Sequence, residues 1–211
     1  MSKTIYINVI NAHPSTQSFF FYVGQAQYCP VSSGIYAQSL ASETVAPSGN
    51  ASLKIPFDYY AAAQSVDSTQ SMSSAIRQIS LSQNDSTAMS TNPLALTPPV
   101  FNSNVPAGAF RIVVPSYDSN SETYYVGTGL QSQSGLVILT SYIVANPNTQ
   151  VNVTPTKTFY VAIGDYKTGQ QIPSQVSNYG KCDASAKSAF KVTYKPDGTF
   201  AVESFTRPWA K

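Results

Sequence analysis

Apolar and polar residues alternate along much of the chain, in short runs that turn-forming residues separate. The first run, residues 4–11, places Ile5, Ile7 and Val9 on one side, which is the two-residue period of a β-strand. Later runs are rich in β-branched and aromatic residues and are bounded by Gly, Pro, Asn or Ser. The predicted strands are residues 4–11, 17–24, 35–41, 51–57, 59–64, 75–81, 109–114, 122–128, 136–145, 150–154, 158–163, 188–195 and 199–205.

The last two predicted strands carry the clearest hairpin signal. They flank the Pro-Asp-Gly segment at 196–198, in which Pro and Asp suit a type I turn and Gly suits the left-handed position after it. Alternation places Phe190 and Val192 on the inner face and Lys191 in solvent. Residues 136–139, Leu-Val-Ile-Leu, are continuously apolar, which predicts a strand that is buried on both faces at the centre of a sheet.

These signals predict an all-β fold with little helix, and specifically an antiparallel two-sheet β-sandwich of immunoglobulin-like or jelly-roll type. Residues 83–108 hold four prolines and no clear period, so we expect a long loop there. Its apolar residues favour a loop that packs across a single domain, 1–211, although a domain boundary within 83–108 is an alternative. Trp209 is expected to hold the C-terminus against the sandwich.

Charged residues make up only 10% of the chain, whereas aromatic residues make up 12%. An average domain is about 25% charged, so neutral polar and tyrosine side chains must keep this surface hydrated. The formal net charge of +2 is too small for a nucleic-acid footprint. No apolar stretch is long enough for a membrane helix, and the alternating N-terminus is unlike a signal peptide. We therefore expect a soluble protein that is cytoplasmic or exported without a cleaved signal.

The inventory of reactive side chains is small. His13 is the only histidine, which argues against most transition-metal sites, and no cofactor motif is present. A Cys29–His13 dyad is the one nucleophilic arrangement that the composition allows, and Cys29 lacks any local signature of a nucleophile. We therefore assign no catalytic residue, no metal ligand and no cofactor. A disulfide between Cys29 and Cys182 is an alternative to two free thiols.

One segment combines tyrosine rings with turn-forming polar groups and is the candidate ligand-binding site. Asp118 and Asn120 offer hydrogen-bond partners for sugar hydroxyls, and Tyr117, Tyr124 and Tyr125 offer aromatic faces. Because neighbouring residues of a strand point to opposite faces, one ring of the Tyr124-Tyr125 doublet should lie in the core and the other at the surface.

The leading hypothesis is a non-enzymatic recognition protein that binds carbohydrate or another polyhydroxylated surface through neutral, tyrosine-rich loops. In composition it resembles soluble lectins that lack signal peptides. One alternative is a self-assembling structural or inclusion protein, in which low charge permits edge strands of a homo-oligomer to associate. The other is an enzyme of unfamiliar type that acts on a small organic substrate.

Overall fold

The chain folds almost entirely into β-strands. The computed structural model describes residues 4–31, 34–66 and 72–207, except for the side chains of residues 66, 72 and 73. In these ranges the one helical segment is a 3-10 turn, Leu81–Gln83, so the predicted all-β class with little helix is confirmed. Trp209 lies outside the described residues.

Eighteen strands lie in the described ranges. They are β1 (Thr4–Asn11), β2 (Gln17–Val23), β3 (Gln27–Cys29), β4 (Ala41–Val45), β5 (Asn50–Pro56), β6 (Tyr59–Val66), β7 (Met72–Gln78), β8 (Asp85–Thr91), β9 (Leu94–Leu96), β10 (Val100–Phe101), β11 (Phe110–Val113), β12 (Thr123–Gln131), β13 (Val137–Val144), β14 (Gln150–Thr154), β15 (Thr158–Ile163), β16 (Tyr179–Asp183), β17 (Ala189–Tyr194) and β18 (Phe200–Phe205).

The strands form four sheets. Sheet I has the order β18-β17-β1-β5, sheet II β16-β15-β2-β4, and sheet III β13-β12-β6-β7. Sheet IV has the order β10-β8-β11-β14-β3, and β9 pairs with β8. Pairing is antiparallel except for β1 with β17 and β8 with β11. The prediction of two sheets is therefore wrong, since local alternation locates strands but does not fix which distant strands pair. Six of the strands were also missed. The sandwich type and the single domain stay predictions.

Sheets I and II pack face to face. The ring of Phe19 on β2 contacts Tyr194 and Phe200 edge-on, with centroids 5.9 and 6.5 Å apart. Gly180 on β16 makes this approach possible, since a Cβ there would lie 2.8 Å from Cγ1 of Val192. One cluster of buried residues joins this interface to side chains of sheets III and IV, so the four sheets share a core.

The predicted loop at 83–108 contains β8, β9 and β10. Pro93 lies in the tight turn between β8 and β9, where Thr91 pairs with Leu94, so its missing N–H removes no bond of that ladder. Met89 and Leu96 are buried side chains of these strands. The expectation of a loop is wrong because the prolines lie between strands, of which β8 is rich in Ser and Thr and β9 and β10 are only three and two residues long.

The C-terminal hairpin is confirmed, whereas the predicted position of residues 136–139 is not. In the hairpin, Tyr194 pairs with Phe200 across a turn that has Gly198 at φ 79°, and Lys191 forms an exposed ion pair with Glu203. Most of β13 is buried, but β13 is the terminal strand of sheet III instead of a central one. Chain from outside sheet III lies against this strand: Tyr36 bridges to Tyr142, and the Ala26 amide donates a hydrogen bond to the Ser141 hydroxyl.

Residues 35–41 do not form the continuous strand that their alternation predicts. Tyr36 and Gln38 instead make isolated bridges to Tyr142 on β13 and to Gln171. This extended segment therefore runs between sheets II and III and contacts a second extended segment at 169–172. Together the two segments define one side of the site described below.

Candidate functional site

The structure divides the five residues of the sequence-predicted site. The rings of Tyr117 and Tyr124 meet edge-on with centroids 4.9 Å apart, and Tyr124 is 3% exposed. The hydroxyl of Tyr117 donates a hydrogen bond to the carbonyl oxygen of Ala145. Tyr124 is therefore a core residue, and the partly buried ring of Tyr117 packs against it.

Tyr125 lies on the opposite face of β12, as strand alternation requires. Its ring contacts the rings of Tyr142 and Tyr36 with centroids 5.6 and 6.3 Å apart. The predicted separation of the doublet into a core ring and an outer ring thus agrees with the structure. It also means that Tyr125 does not share a cleft with Tyr117 and Tyr124.

Asp118 and Asn120 form an exposed turn before β12. The Asn120 amide donates a 3.0 Å hydrogen bond to Oδ1 of Asp118, and the Ser121 hydroxyl donates one to Oδ2. These donors, the Asn120 amide first, hold the pKa of Asp118 below its usual value. The carboxylate is already used within its own turn, and ligand binding by the five residues stays a prediction.

A different group of tyrosines converges on the outer face of sheet II. Phe19 faces sheet I, so alternation turns Tyr22 on the same strand to the opposite side. Tyr22 pairs in register with Tyr160 of β15, and their rings lie nearly parallel with centroids 5.0 Å apart. Tyr179 on β16 meets Tyr160 edge-on at 4.8 Å. We call Tyr22, Tyr160 and Tyr179 the tyrosine platform.

The tyrosine platform lines a cavity of about 580 Å³, a size within the range of small-molecule sites. The apolar side chains at its wall include Ile35, Ala37 and Ile172. The amide and hydroxyl side chains that line it are those of Gln25, Ser174, Gln175 and Ser177. Apolar and aromatic surface with a few neutral polar groups is the composition expected of a small-molecule site.

Backbone hydrogen bonds join the two segments that form one wall of this cavity. The Ile172 amide donates to the Ala37 carbonyl at 3.0 Å, and the Ser39 amide donates to the Gln170 carbonyl at 2.9 Å. These bonds tie the segment at 35–41 to the segment at 169–172. Two stretches that are far apart in sequence therefore form one wall that is set before any ligand arrives.

The cavity is electrically neutral. None of the described residues that line it is Asp, Glu, Lys, Arg or His. Burial, followed by the nearby rings of Tyr160 and Tyr179, raises the pKa of Tyr22. A tyrosine hydroxyl is protonated at neutral pH even without such a shift, so this hydroxyl can donate a hydrogen bond. The register partner of Tyr160 on β16, Lys181, lines a separate groove with Asp183 and Lys187.

The reactive residues noted in the sequence do not form a catalytic group. Nδ1 of His13 lies 2.8 Å from the Ser15 hydroxyl, in the turn after β1, and the His13 ring contacts Tyr194. Cys29 lies on β3 in sheet IV. The two members of the conceivable Cys29–His13 dyad thus belong to different parts of the fold and have other neighbours.

Cys29 and Cys182 are free thiols, so the alternative of a disulfide between them is not realised. Cys182 is fully buried on β16 of sheet II, whereas Cys29 is exposed on sheet IV. Burial raises the pKa of the Cys182 thiol to about 12. This thiol therefore behaves as a small apolar core residue and not as a nucleophile at neutral pH.

The described residues offer neither a cluster of metal ligands nor a membrane-spanning helix. They contain no group of three or more His, Cys, Asp or Glu side chains that could hold a metal ion. Among the same residues, no helix has the length and apolar character needed to cross a membrane.

The chain matches no known protein family, and it has no significant similarity to a curated protein or to a solved structure. Sequence reasoning missed the tyrosine platform because its three members lie on three strands. The one available signal was the Phe159-Tyr160 doublet, which has the same core-and-surface pattern as Tyr124-Tyr125.

Proposed function

We propose that this protein is a non-enzymatic, lectin-like recognition protein that binds neutral carbohydrate on the tyrosine platform. The observation that carries the proposal is the convergence of Tyr22, Tyr160 and Tyr179 in one uncharged cavity. Sugar rings present apolar C–H faces that pack on aromatic rings, and their hydroxyls suit neutral amide and hydroxyl partners.

The absence of charge in the described cavity lining favours binding over catalysis. Hydrolysis of a glycosidic bond ordinarily requires two carboxyl groups on either side of the bond. The described residues that line this cavity supply none. A neutral lining also avoids the desolvation of buried ions that a charged lining would require when a sugar displaces water.

The first experiment is a glycan array followed by titration calorimetry with the glycans that bind. Tyr179→Ala removes a ring that is 42% exposed, so the variant is expected to fold. With about 0.5–1.5 kcal/mol for an aromatic contact, the loss corresponds to a roughly 2- to 13-fold weaker affinity. Tyr6→Ala, which removes a half-buried ring from sheet I, is the matched control and should bind like the wild type.

Three results would overturn the proposal. They are an array without any bound glycan, equal affinities for Tyr179→Ala and the wild type, and an equal loss in the Tyr6→Ala control. Chromatography of the glycan after prolonged incubation adds a separate readout. A shortened or otherwise altered glycan would refute the non-enzymatic part of the proposal and support the enzyme alternative.

A second candidate function, self-assembly, is favoured by the end of sheet IV. The terminal strand β10 exposes Val100 by 62% and Phe101 by 70%. Exposed apolar side chains on a terminal strand promote pairing with another copy, and the low net charge opposes it little. Sedimentation velocity at high concentration should show association of the wild type. Phe101→Ser should abolish this association. Val31→Ser, which changes an exposed apolar residue elsewhere, should retain it. A strictly monomeric wild type would refute it.

A further inference from the structure

A second cavity continues the first one. It measures about 670 Å³ and shares Gln25, Ile35 and the segment 172–175 with the cavity of the tyrosine platform. Cavities with this much common wall form a single groove. We infer that the ligand is a linear chain of several neutral sugar units, which occupies the tyrosine platform and a second binding position at Tyr36. This inference rests on the proposed function and specifies the class of glycan.

The second position has its own aromatic surface. Tyr36 lines the second cavity, and its ring is nearly parallel to that of Tyr142, with centroids 5.5 Å apart and an interplanar angle of 25°. Tyr125, the outer ring of the sequence-predicted doublet, contacts both rings of this pair edge-on. Two aromatic positions at different parts of one groove match a ligand with repeated ring faces.

Neutral polar groups accompany the rings at the second position as well. The Tyr142 hydroxyl donates a 3.2 Å hydrogen bond to Oε1 of Gln171, which lines the second cavity. A tyrosine hydroxyl is protonated at neutral pH, and burial raises the pKa of Tyr142 further. None of the described residues that line the second cavity is charged. Both positions therefore suit the same uncharged chemistry.

The backbone fixes the two positions relative to each other. The amide and carbonyl of Tyr36 exchange hydrogen bonds with Tyr142 at 2.8 and 3.0 Å, which attaches the segment at 35–41 to sheet III. The next residue, Ala37, accepts a hydrogen bond from Ile172 beside the tyrosine platform. An oligosaccharide bound at one position can therefore reach the other without a large rearrangement of the protein. Binding of its further sugar units at the second position is then effectively intramolecular.

The test is titration calorimetry with two series of linear neutral probes, β-1,4-linked glucose oligomers and β-1,4-linked N-acetylglucosamine oligomers, from the monosaccharide to the hexasaccharide. For at least one series, the wild type should bind more tightly as the probe lengthens, up to a plateau. Tyr36→Ala should weaken the affinity for the longer probes roughly 2- to 13-fold and so reduce the gain with length. It should leave the affinity for the shortest binding probe unchanged. Tyr179→Ala should weaken short and long probes alike.

Two further variants separate ligand contact from folding. Tyr36→Phe keeps the ring and should retain the gain with length. Gln171→Ala changes an exposed side chain of the second cavity and should reduce the gain even if Tyr36→Ala fails to fold. The inference is overturned if affinity is independent of probe length, or if neither Tyr36→Ala nor Gln171→Ala reduces the gain. Wild-type protein that binds no glycan, either on the array or in the two series, would instead contradict the proposed function itself.

Discussion

Gly127 on β12 is the position at which the smallest substitution should have a large effect. Gly127 pairs with Tyr142 of β13, and a Cβ at this position would lie 2.7 Å from the Cα of Tyr142 and would also overlap the carbonyl oxygen of Ser141. These are backbone atoms, so no side-chain rotation relieves the overlap. Gly127→Ala must therefore push β12 and β13 apart.

The size of the effect follows from two opposing contributions. Overpacking costs about 1–3 kcal/mol, and overlap with fixed backbone places Gly127→Ala near the upper end of that range. Replacing Gly by Ala also restricts the unfolded chain, which offsets about 0.4–1 kcal/mol. The net loss is about 2 kcal/mol. In a chain of this length it lowers the unfolding midpoint by roughly 4–8 °C.

Differential scanning calorimetry measures this change, and Gly34→Ala is the matched control. A Cβ at Gly34 would lie 3.3 Å from the hydroxyl oxygen of Tyr36, the end of a side chain that can move, so its midpoint should stay within about 2 °C of the wild type. A Gly127→Ala midpoint equal to that of the wild type would refute the argument. Because Gly127 opposes Tyr142, the variant should also lose part of the affinity gain with longer glycans.

Three further predictions concern thiols and charge. A thiol reagent should modify Cys29 alone in the folded protein and both cysteines after denaturation; reaction of two thiols in the native state would contradict the burial of Cys182. The folded-state pKa of Cys182, about 12, exceeds the ordinary value of 9.0, so its stabilising contribution is complete below pH 9 and is lost as the pH rises towards 12. Unfolding of wild type and Cys182→Ala at pH 8 and 10 should show this as a larger loss in the wild type, and parallel losses would refute it. Lys191→Gln breaks an exposed ion pair with Glu203 and should change the free energy of unfolding in urea by less than about 1 kcal/mol; a larger loss would show that the pair is more than a surface contact.

Local pattern was sufficient to locate many of the strands. The predicted ranges 4–11, 150–154 and 158–163 agree with β1, β14 and β15 to the residue. In β1 and β14 buried side chains alternate regularly with less buried ones, because one face of each strand packs in the core. The missed strand β8 is a contrasting case: Asp85, Ser86 and Thr87 are buried there, so its polar composition concealed a strand.

The candidate site was less accessible to sequence reasoning than the strands. Alternation correctly separated Tyr124 from Tyr125, but it could not show that Tyr117 and Tyr124 would pair in the interior. The predicted site also relied on Asp118 and Asn120. The side chain of Asp118 accepts a hydrogen bond from the backbone amide of Asn120 within one turn. Nearness in sequence suggested a shared cleft, whereas residues of one strand are distributed over both of its faces.

The sequence by itself determined the all-β class, the scarcity of charge and the division of the Tyr124-Tyr125 doublet between the two faces of its strand. These properties are local, because the two-residue period and the side-chain chemistry are set residue by residue. Only the tertiary structure decided that Tyr22, Tyr160 and Tyr179 share a cavity and that Tyr36 extends it. Strand adjacency depends on the packing of distant segments, so residues separated by more than a hundred positions in the chain become neighbours only when the sheets assemble.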